Sequence, residues 1–200
     1  MSEPIAASEA TSYFNTLFTL QLYPHVVEVN TLLLAFIFRT YFKVKKDEKK
    51  KMGDTLSKPI SEKHTSTFET PLVRVGCCGM QGWRKNMEDA HVANVNLSGN
   101  KKDGFYGVFD GHNGQLVAKH CGEHLLSHVV KQPSYAERDY QTALHDAFLE
   151  IDQKLMNTPE LRNEGGCTAV CCLVTGGELF CANAGDSRAV LFRDNQAVAL

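Results

Sequence analysis

Residues 165–200 read GGCTAVCCLVTGGELFCANAGDSRAVLFRDNQAVAL, four short apolar runs punctuated by turn residues. CTAVCCLV and ELFCAN are joined through Thr175-Gly176-Gly177, a sequence suited to a tight hairpin. RAVLF and QAVAL follow, separated by Arg193-Asp194-Asn195. The spacing predicts an antiparallel meander, and the rest of the fold can be read outward from it.

Upstream, VRVGCCGM and HVANVNL are strand-like, and GFYGVF is an apolar run ending at Asp110. Residues 114–130 read as a helix. After Pro133, Ser134 with Glu137 has the S-x-x-E form of a capping box, which would open a second helix. That helix places Tyr140, Leu144, Phe148, Ile151 and Leu155 on one face, toward a core. Helices followed by paired strands predict an α+β fold, with the helices packed on a largely antiparallel sheet.

A chain of 200 residues, 43% hydrophobic and 22% charged with a net charge of -2, is an ordinary globular composition. It presents no overall basic field, so nucleic acid is not an expected partner. The seven cysteines (Cys77, Cys78, Cys121, Cys167, Cys171, Cys172 and Cys181) are odd in number and show no C-x-x-C spacing. That argues against a disulfide framework and a zinc site. In apolar runs a thiol acts as a small hydrophobe, and cytosol or nucleus is the natural compartment.

The first 51 residues differ in kind. The segment 13–42 is apolar and ends in NTLLLAFIF, followed by KVKKDEKKK with its six lysines. Glu3 and Glu9 exclude a signal peptide, and Gln21, Pro24, His25, Glu28 and Asn30 interrupt a membrane span. Three readings stay open: a membrane-interface helix, an extension upstream of a start at Met52, and, as the least favoured, a true span whose following lysines would place residues 43 onward in the cytosol. Met52-Gly53-Asp54-Thr55-Leu56-Ser57 fits an N-myristoylation signal if Met52 initiates the chain. Membrane contact could thus come from the apolar segment or from acylated Gly53. Residues 52–71 read as a polar leader, and the folded domain spans 72–200.

Three acidic stretches carry the chemistry. In GMQGWRKNMEDAH, Arg84 precedes the adjacent acids Glu88 and Asp89. In VFDGHNG, Asp110 ends an apolar strand and is followed by Gly111, His112 and Gly114. In ANAGDSRAV, Asp186 lies in a turn between strands. A carboxylate at the end of a buried strand is held rigidly, and a following glycine allows close backbone approach. Magnesium and manganese favour such oxygen donors. An arginine fork suits phosphoryl oxygens, and a histidine can protonate a leaving alkoxide. These residue types fit metal-assisted hydrolysis of a phosphate ester, with a structural or binding role the rival reading. His120, His124 and His128 recur every four residues beside an apolar helical stripe and read as boundary residues; the lone Trp83 reads as core.

GWRKNMEDAH, FDGHNG, GGCTAV and NAGDSRAVL, in that order, resemble the metal-dependent serine/threonine protein phosphatases of type 2C. MGDTLSKPISEKHT also resembles how some animal-type members begin. The resemblance implies a layered β-sandwich flanked by helices (α-β-β-α), with two magnesium or manganese ions at one end. It implies that Asp110 bridges both metals, Gly111 binds through its carbonyl, Glu88 is a ligand of one metal, and Asp89 partners metal-bound water. Arg84 would hold the substrate phosphate, His112 would be the general acid, and Asp186 would mark a third, looser metal site. The implied substrates are phosphoserine and phosphothreonine proteins, attacked in one step by activated water, and the implied state is a monomer. The family carries two further metal-binding aspartates beyond the equivalent of Leu200. The expectation is therefore a fragment, incomplete at its C-terminus and impaired in catalysis; the rival is a non-catalytic phosphatase-like protein at a membrane surface.

Overall fold

A computed structural model describes residues 16–22, 32–37, 55–71, 73–97, 99 and 103–200, the first two segments by their backbone alone. Its strands are β1 (Thr16–Leu22), β2 (Leu32–Ile37), β3 (Thr55–Glu69), β4 (Val73–Arg84), β5 (Ala90–Asn94), β6 (Gly104–Phe109), β7 (Gly111–His112), β8 (Gly166–Cys167), β9 (Ala169–Thr175), β10 (Glu178–Ala184), β11 (Arg188–Arg193) and β12 (Gln196–Ala199). Its helices are α1 (Leu116–Lys131), the single turn α2 (Pro133–Ala136) and α3 (Tyr140–Asn157).

Two antiparallel sheets face each other, ordered β10-β9-β6-β5 and β12-β11-β2-β1-β4-β3. The period-2 alternation of a strand explains how β6 and β9 serve two cores at once. Tyr106, Val108, Val170, Cys172 and Val174 face Val73, Val75 and Cys77 of β4 and Ala189 of β11. Phe105, Phe109, Ala169, Cys171 and Leu173 point the other way, against the helices. There α1 contributes Val117, Cys121, Leu125 and Val129, and α3 contributes Ala143, Leu144, Ala147 and Ile151. Each fully buried Phe, Leu or Val contributes about 1.5–3 kcal/mol of transfer free energy, so these two layers carry most of the apolar stabilisation. The arrangement is α+β, a helix layer on a two-sheet sandwich.

The helical stripe read from sequence is present, with Tyr140, Phe148 and Leu155 partly buried on the same core. Its cap is different. Asp139, not Ser134, caps α3, its side chain accepting from the Thr142 N–H at 3.2 Å. The turn α2 intervenes, and the Ser134 hydroxyl is buried without a hydrogen-bond partner among the described residues. Arg138, at φ 64°, makes the bend that lets the chain restart as α3.

The predicted meander is instead two hairpins in different sheets. β9 and β10 pair around Gly176-Gly177, at φ 60° and 85°. β11 and β12 pair around Asp194-Asn195, at φ 53° and 59°. Both turns have the two left-handed residues that match the right-handed twist of a hairpin. Between them, Gly185-Asp186-Ser187 carries the chain from one sheet to the other. Local turn chemistry is the same in either arrangement, so only packing distinguishes them.

The segment read as a polar leader is an edge strand. β3 pairs with β4, with register shifts between Thr55 and Ile60 and between Ile60 and Lys63. Pro59 falls at this irregularity, and Lys58, Glu62 and Lys63 keep the strand charged, as suits an edge. The described parts of the apolar N-terminal segment are strands rather than a membrane-interface helix. β1 pairs with β4 and β2 with β11. Among the described residues no helix is long and apolar enough to cross a membrane. Met52 and Gly53 lie outside the described residues.

Candidate active site

The site forms where β6 runs out of the sandwich. Phe109 is fully buried, and the next residue, Asp110, emerges with its side chain 19% exposed. Its backbone is held twice by one residue: the Asp110 N–H donates to Thr168 Oγ1 at 3.3 Å, and its carbonyl accepts from the Thr168 N–H at 2.9 Å. Gly111 then pairs with Cys167 in the short β7–β8 ladder. A Cβ on Gly111 would lie 2.4 Å from the Glu88 carbonyl oxygen and 2.8 Å from that of Gly114. Only glycine lets these three backbone stretches meet, which is the close approach expected from the sequence.

His112 is exposed, and its Nδ1 lies 3.0 Å from the Asp110 carbonyl oxygen. A carbonyl only accepts, so Nδ1 carries a proton there and Nε2 is left for chemistry. Arg84 closes β4 and turns its guanidinium onto Glu88, Nη2 to Oε2 at 2.8 Å. Asp89 follows Glu88 in the same loop, half-buried. Beside Glu88 opens a cavity of about 420 Å³, lined also by Gln81, Lys85, Asn86, Gly114 and Gln115.

The electrostatics around Asp110 suit a cation. Burial raises its pKa most, His112 and Arg84 pull it down, and the negative charges of Asp186 and Glu88 push it further up. Carboxylates from two other parts of the chain therefore act on Asp110, and a cation beside it would relieve both repulsion and desolvation. The oxygen-only donor set and the cradle at Gly111 fit magnesium or manganese in kind. Among the described residues, no three acid, imidazole or thiol side chains converge closely enough to hold one ion by themselves.

Sequence reasoning named Arg84, Glu88, Asp89, Asp110, Gly111, His112 and Asp186, but missed what positions them. Thr168 Oγ1 sits 2.6 Å from Ser187 Oγ, both buried, and the Asn183 side-chain amide donates to the Ser187 carbonyl at 2.7 Å. Gly185, at φ 104°, packs where a Cβ would meet Thr168 Cγ2 at 2.8 Å. Thr168 thus ties Asp110 to the exposed turn that carries Asp186. The signal was in the quoted motifs GGCTAV and NAGDSRAVL, whose hydroxyls stand at strand ends. Trp83, expected in the core, is 51% exposed beside Arg84. His128 is buried, with Nδ1 3.1 Å from Glu150 Oε1, while the rings of His120 and His124 lie 4.3 Å apart.

Comparison with known proteins bears on this arrangement directly. A family model described as Protein phosphatase 2C matches residues 73–200. Protein phosphatase 2C homolog 2 of Schizosaccharomyces pombe is 43% identical over 155 residues, 74% of this chain and 42% of that protein. The Saccharomyces cerevisiae protein of the same name is 42% identical over 74% of this chain and 33% of its own length. Protein phosphatase 1B of Rattus norvegicus is 37% identical over 72% of this chain and 41% of its own. The chain spans about a third to two-fifths of the length of these relatives. The matched region contains every element of the site, from Arg84 to the turn at Asp186, and by that match the chain belongs to the protein phosphatase 2C family.

Proposed function

We propose that this chain supplies part of a metal-dependent protein phosphatase site acting on phosphoserine and phosphothreonine. The observation that carries the reading is the Asp110-Gly111 cradle, with Glu88 against it and Asp186 within electrostatic reach. Asp110, the Gly111 carbonyl and Glu88 would hold magnesium or manganese, two ions in all, with Asp186 toward a third. When bound, the metal supplies Lewis acidity and a water of lowered pKa.

The chain's own residues do the rest. Arg84 is already fixed at the mouth of the site by Glu88, and its planar fork can exchange that carboxylate for two phosphoryl oxygens. His112, anchored through Nδ1, takes a proton at Nε2 and delivers it to the leaving serine or threonine alkoxide. Asp89 orients water beside Glu88. Thr168 keeps Asp110 in place while the charge around it changes. The cavity beside Glu88 offers room for a phosphorylated segment, and Lys85 adds positive charge at its wall. The thiol content supports a reducing compartment, the cytoplasm (free or membrane-associated) or the nucleus, and a monomer is the proposed working state.

The test is phosphate release from a phosphothreonine peptide by a complete protein carrying this sequence, assayed with manganese. Asp110→Asn should lower turnover by roughly 10²–10⁴-fold, since the group it removes is worth several kcal/mol to the transition state. Arg84→Ala should act chiefly on KM. Near-normal turnover of Asp110→Asn would sink the assignment and leave the non-catalytic interaction protein as the better reading.

A further inference from the structure

We propose that Cys121 and Cys167 are a modification site, a thiol pair that a hydroperoxide converts into a reversible disulfide beside the candidate active site. Their sulfur atoms lie 3.7 Å apart, with the Cys167 thiol donating to Cys121. A disulfide needs an S–S distance of about 2.05 Å, so the two must close by roughly 1.7 Å, a movement within reach of side-chain rotation and a small shift of β8. Cys121 comes from the inner face of α1 and Cys167 from β8, 46 residues apart in sequence.

Proximity and a shared cavity mark this pair: Cys121 is buried, Cys78 and Cys181 are half-buried, and Cys181 lines a different cavity with Gln141, Leu144 and Phe180. Cys121 and Cys167 both line a cavity of about 190 Å³ between α1, α3 and β8. Its wall is apolar, with Val117, Ile151 and Leu155, and it reaches the surface at Met156, which is 61% exposed, and at Arg162, also exposed. A molecule the size of hydrogen peroxide fits such a space. Cys171 and Cys172 are fully buried inside β9, and Cys77 lies in the core between the sheets.

The chemistry closes with one oxidant. The Cys121 sulfur attacks a peroxide oxygen, the O–O bond breaks, and a sulfenic acid and water result. The Cys167 sulfur then attacks the sulfenic sulfur, forming the S–S bond and expelling a second water with the two thiol protons accounted for. Two thiols are oxidised and one hydrogen peroxide is reduced to two waters. A dithiol reductant reverses the change.

The position gives the link a consequence. Cys167 is the register partner of Gly111, and its neighbour Thr168 holds Asp110 by two hydrogen bonds. A Cys121–Cys167 bond would fasten α1 to the strand on which Asp110 and Gly111 hang. The link itself does not depend on the phosphatase reading; only an effect on turnover would rest on it.

The experiment treats the full 200-residue chain with hydrogen peroxide, alkylates the remaining thiols, and maps peptides without reduction. The expected result is a peptide pair joining Cys121 to Cys167 that dithiothreitol separates, absent from Cys121→Ser and from Cys167→Ser. The wild-type map decides alone if either variant misfolds. Recovery of both residues as free thiols or sulfinic acids, or a Cys172–Cys181 link in their place, would overturn the proposal. Amide exchange at Gly111 and His112 should slow on oxidation; unchanged exchange there would overturn the coupling to the site. A chain with no phosphatase activity would still return the same peptide map.

Discussion

The two sheets of the sandwich are built to different rules. In the four-stranded sheet, β6 and β9 are buried at every position, because helices cover one face and the second sheet the other. In the six-stranded sheet, β4 alternates buried and open positions along Val73–Cys77, and β12 is exposed throughout. A strand covered twice must be apolar on both faces and reads as a continuous run, GFYGVF or AVCCLVT. A strand covered once needs only every second residue. The first sheet also closes within residues 90–184, whereas the second gathers strands from Thr16 to Ala199. The candidate site sits at the junction, where a rigid strand of the first sheet meets the loop ends of the second.

That contrast can be broken by mutation. The largest effect should come from Phe109→Ala, which empties a fully buried position between β6 and the helices and should cost about 3–5 kcal/mol in urea unfolding. A cost below about 1 kcal/mol would show that the doubly covered layer is not the stable half. Gly111→Ala comes next. Its Cβ would press on two backbone carbonyls that cannot move aside cheaply, so about 1–3 kcal/mol should be lost and, if the proposed metal site holds, most of its manganese affinity, read by calorimetry. Thr168→Val keeps shape but strips the acceptor from the Asp110 N–H and the partner from Ser187. It should cost about 1–3 kcal/mol and loosen Asp110, visible as faster amide exchange at that residue.

Asp110→Asn should move the other way. Burial, then the neighbouring acids, raise the folded-state pKa of Asp110 above its unfolded value. The contribution of this group to stability is therefore full at low pH and is lost as pH rises through the raised pKa. At neutral pH the charged form burdens the metal-free chain, and removing the charge should raise the melting temperature, by about 2–4 °C for each kcal/mol relieved. Metal binding at the proposed site would have the opposite sign, needing the carboxylate and weakening on acidification. A lowered melting temperature for metal-free Asp110→Asn would contradict the crowding of charge at the junction. The smallest effect belongs to Val198→Ala on β12, within about 0.5 kcal/mol; a larger loss would mean that this strand is covered in solution.

Much of this is legible in the sequence itself. The continuous run ending at Asp110 and the helical stripe of Leu144 and Ile151 announced their elements by period alone. The hairpin turns announced themselves by residues that tolerate positive φ. Asp110, Glu88 and Arg84 were each weak signals alone, and became candidates through the ordered motifs GWRKNMEDAH and FDGHNG that contain them. Other features were silent for identifiable reasons. β3 has too little burial to show a period, since an edge strand is held by its backbone and kept polar. Ser134-x-x-Glu137 satisfied a local rule, but Pro133 and the bend at Arg138 hand the cap to Asp139. Thr168 is one hydroxyl among many in the sequence, and becomes a positioning residue only when β8 lies against β7.

From sequence alone came most strands and both long helices of residues 72–200, the two hairpin turns, the ordered motifs of the family and the candidate acids within them. These depend on φ, ψ and side-chain period, which neighbouring residues set. The tertiary structure alone decided that β10 and β11 part into different sheets, that Glu88 and Asp186 both act on Asp110, and that Cys121 meets Cys167. Those outcomes depend on burial and on contacts between segments tens of residues apart. Coulombic and desolvation energies exist only once the chain has brought such groups together and excluded water from between them.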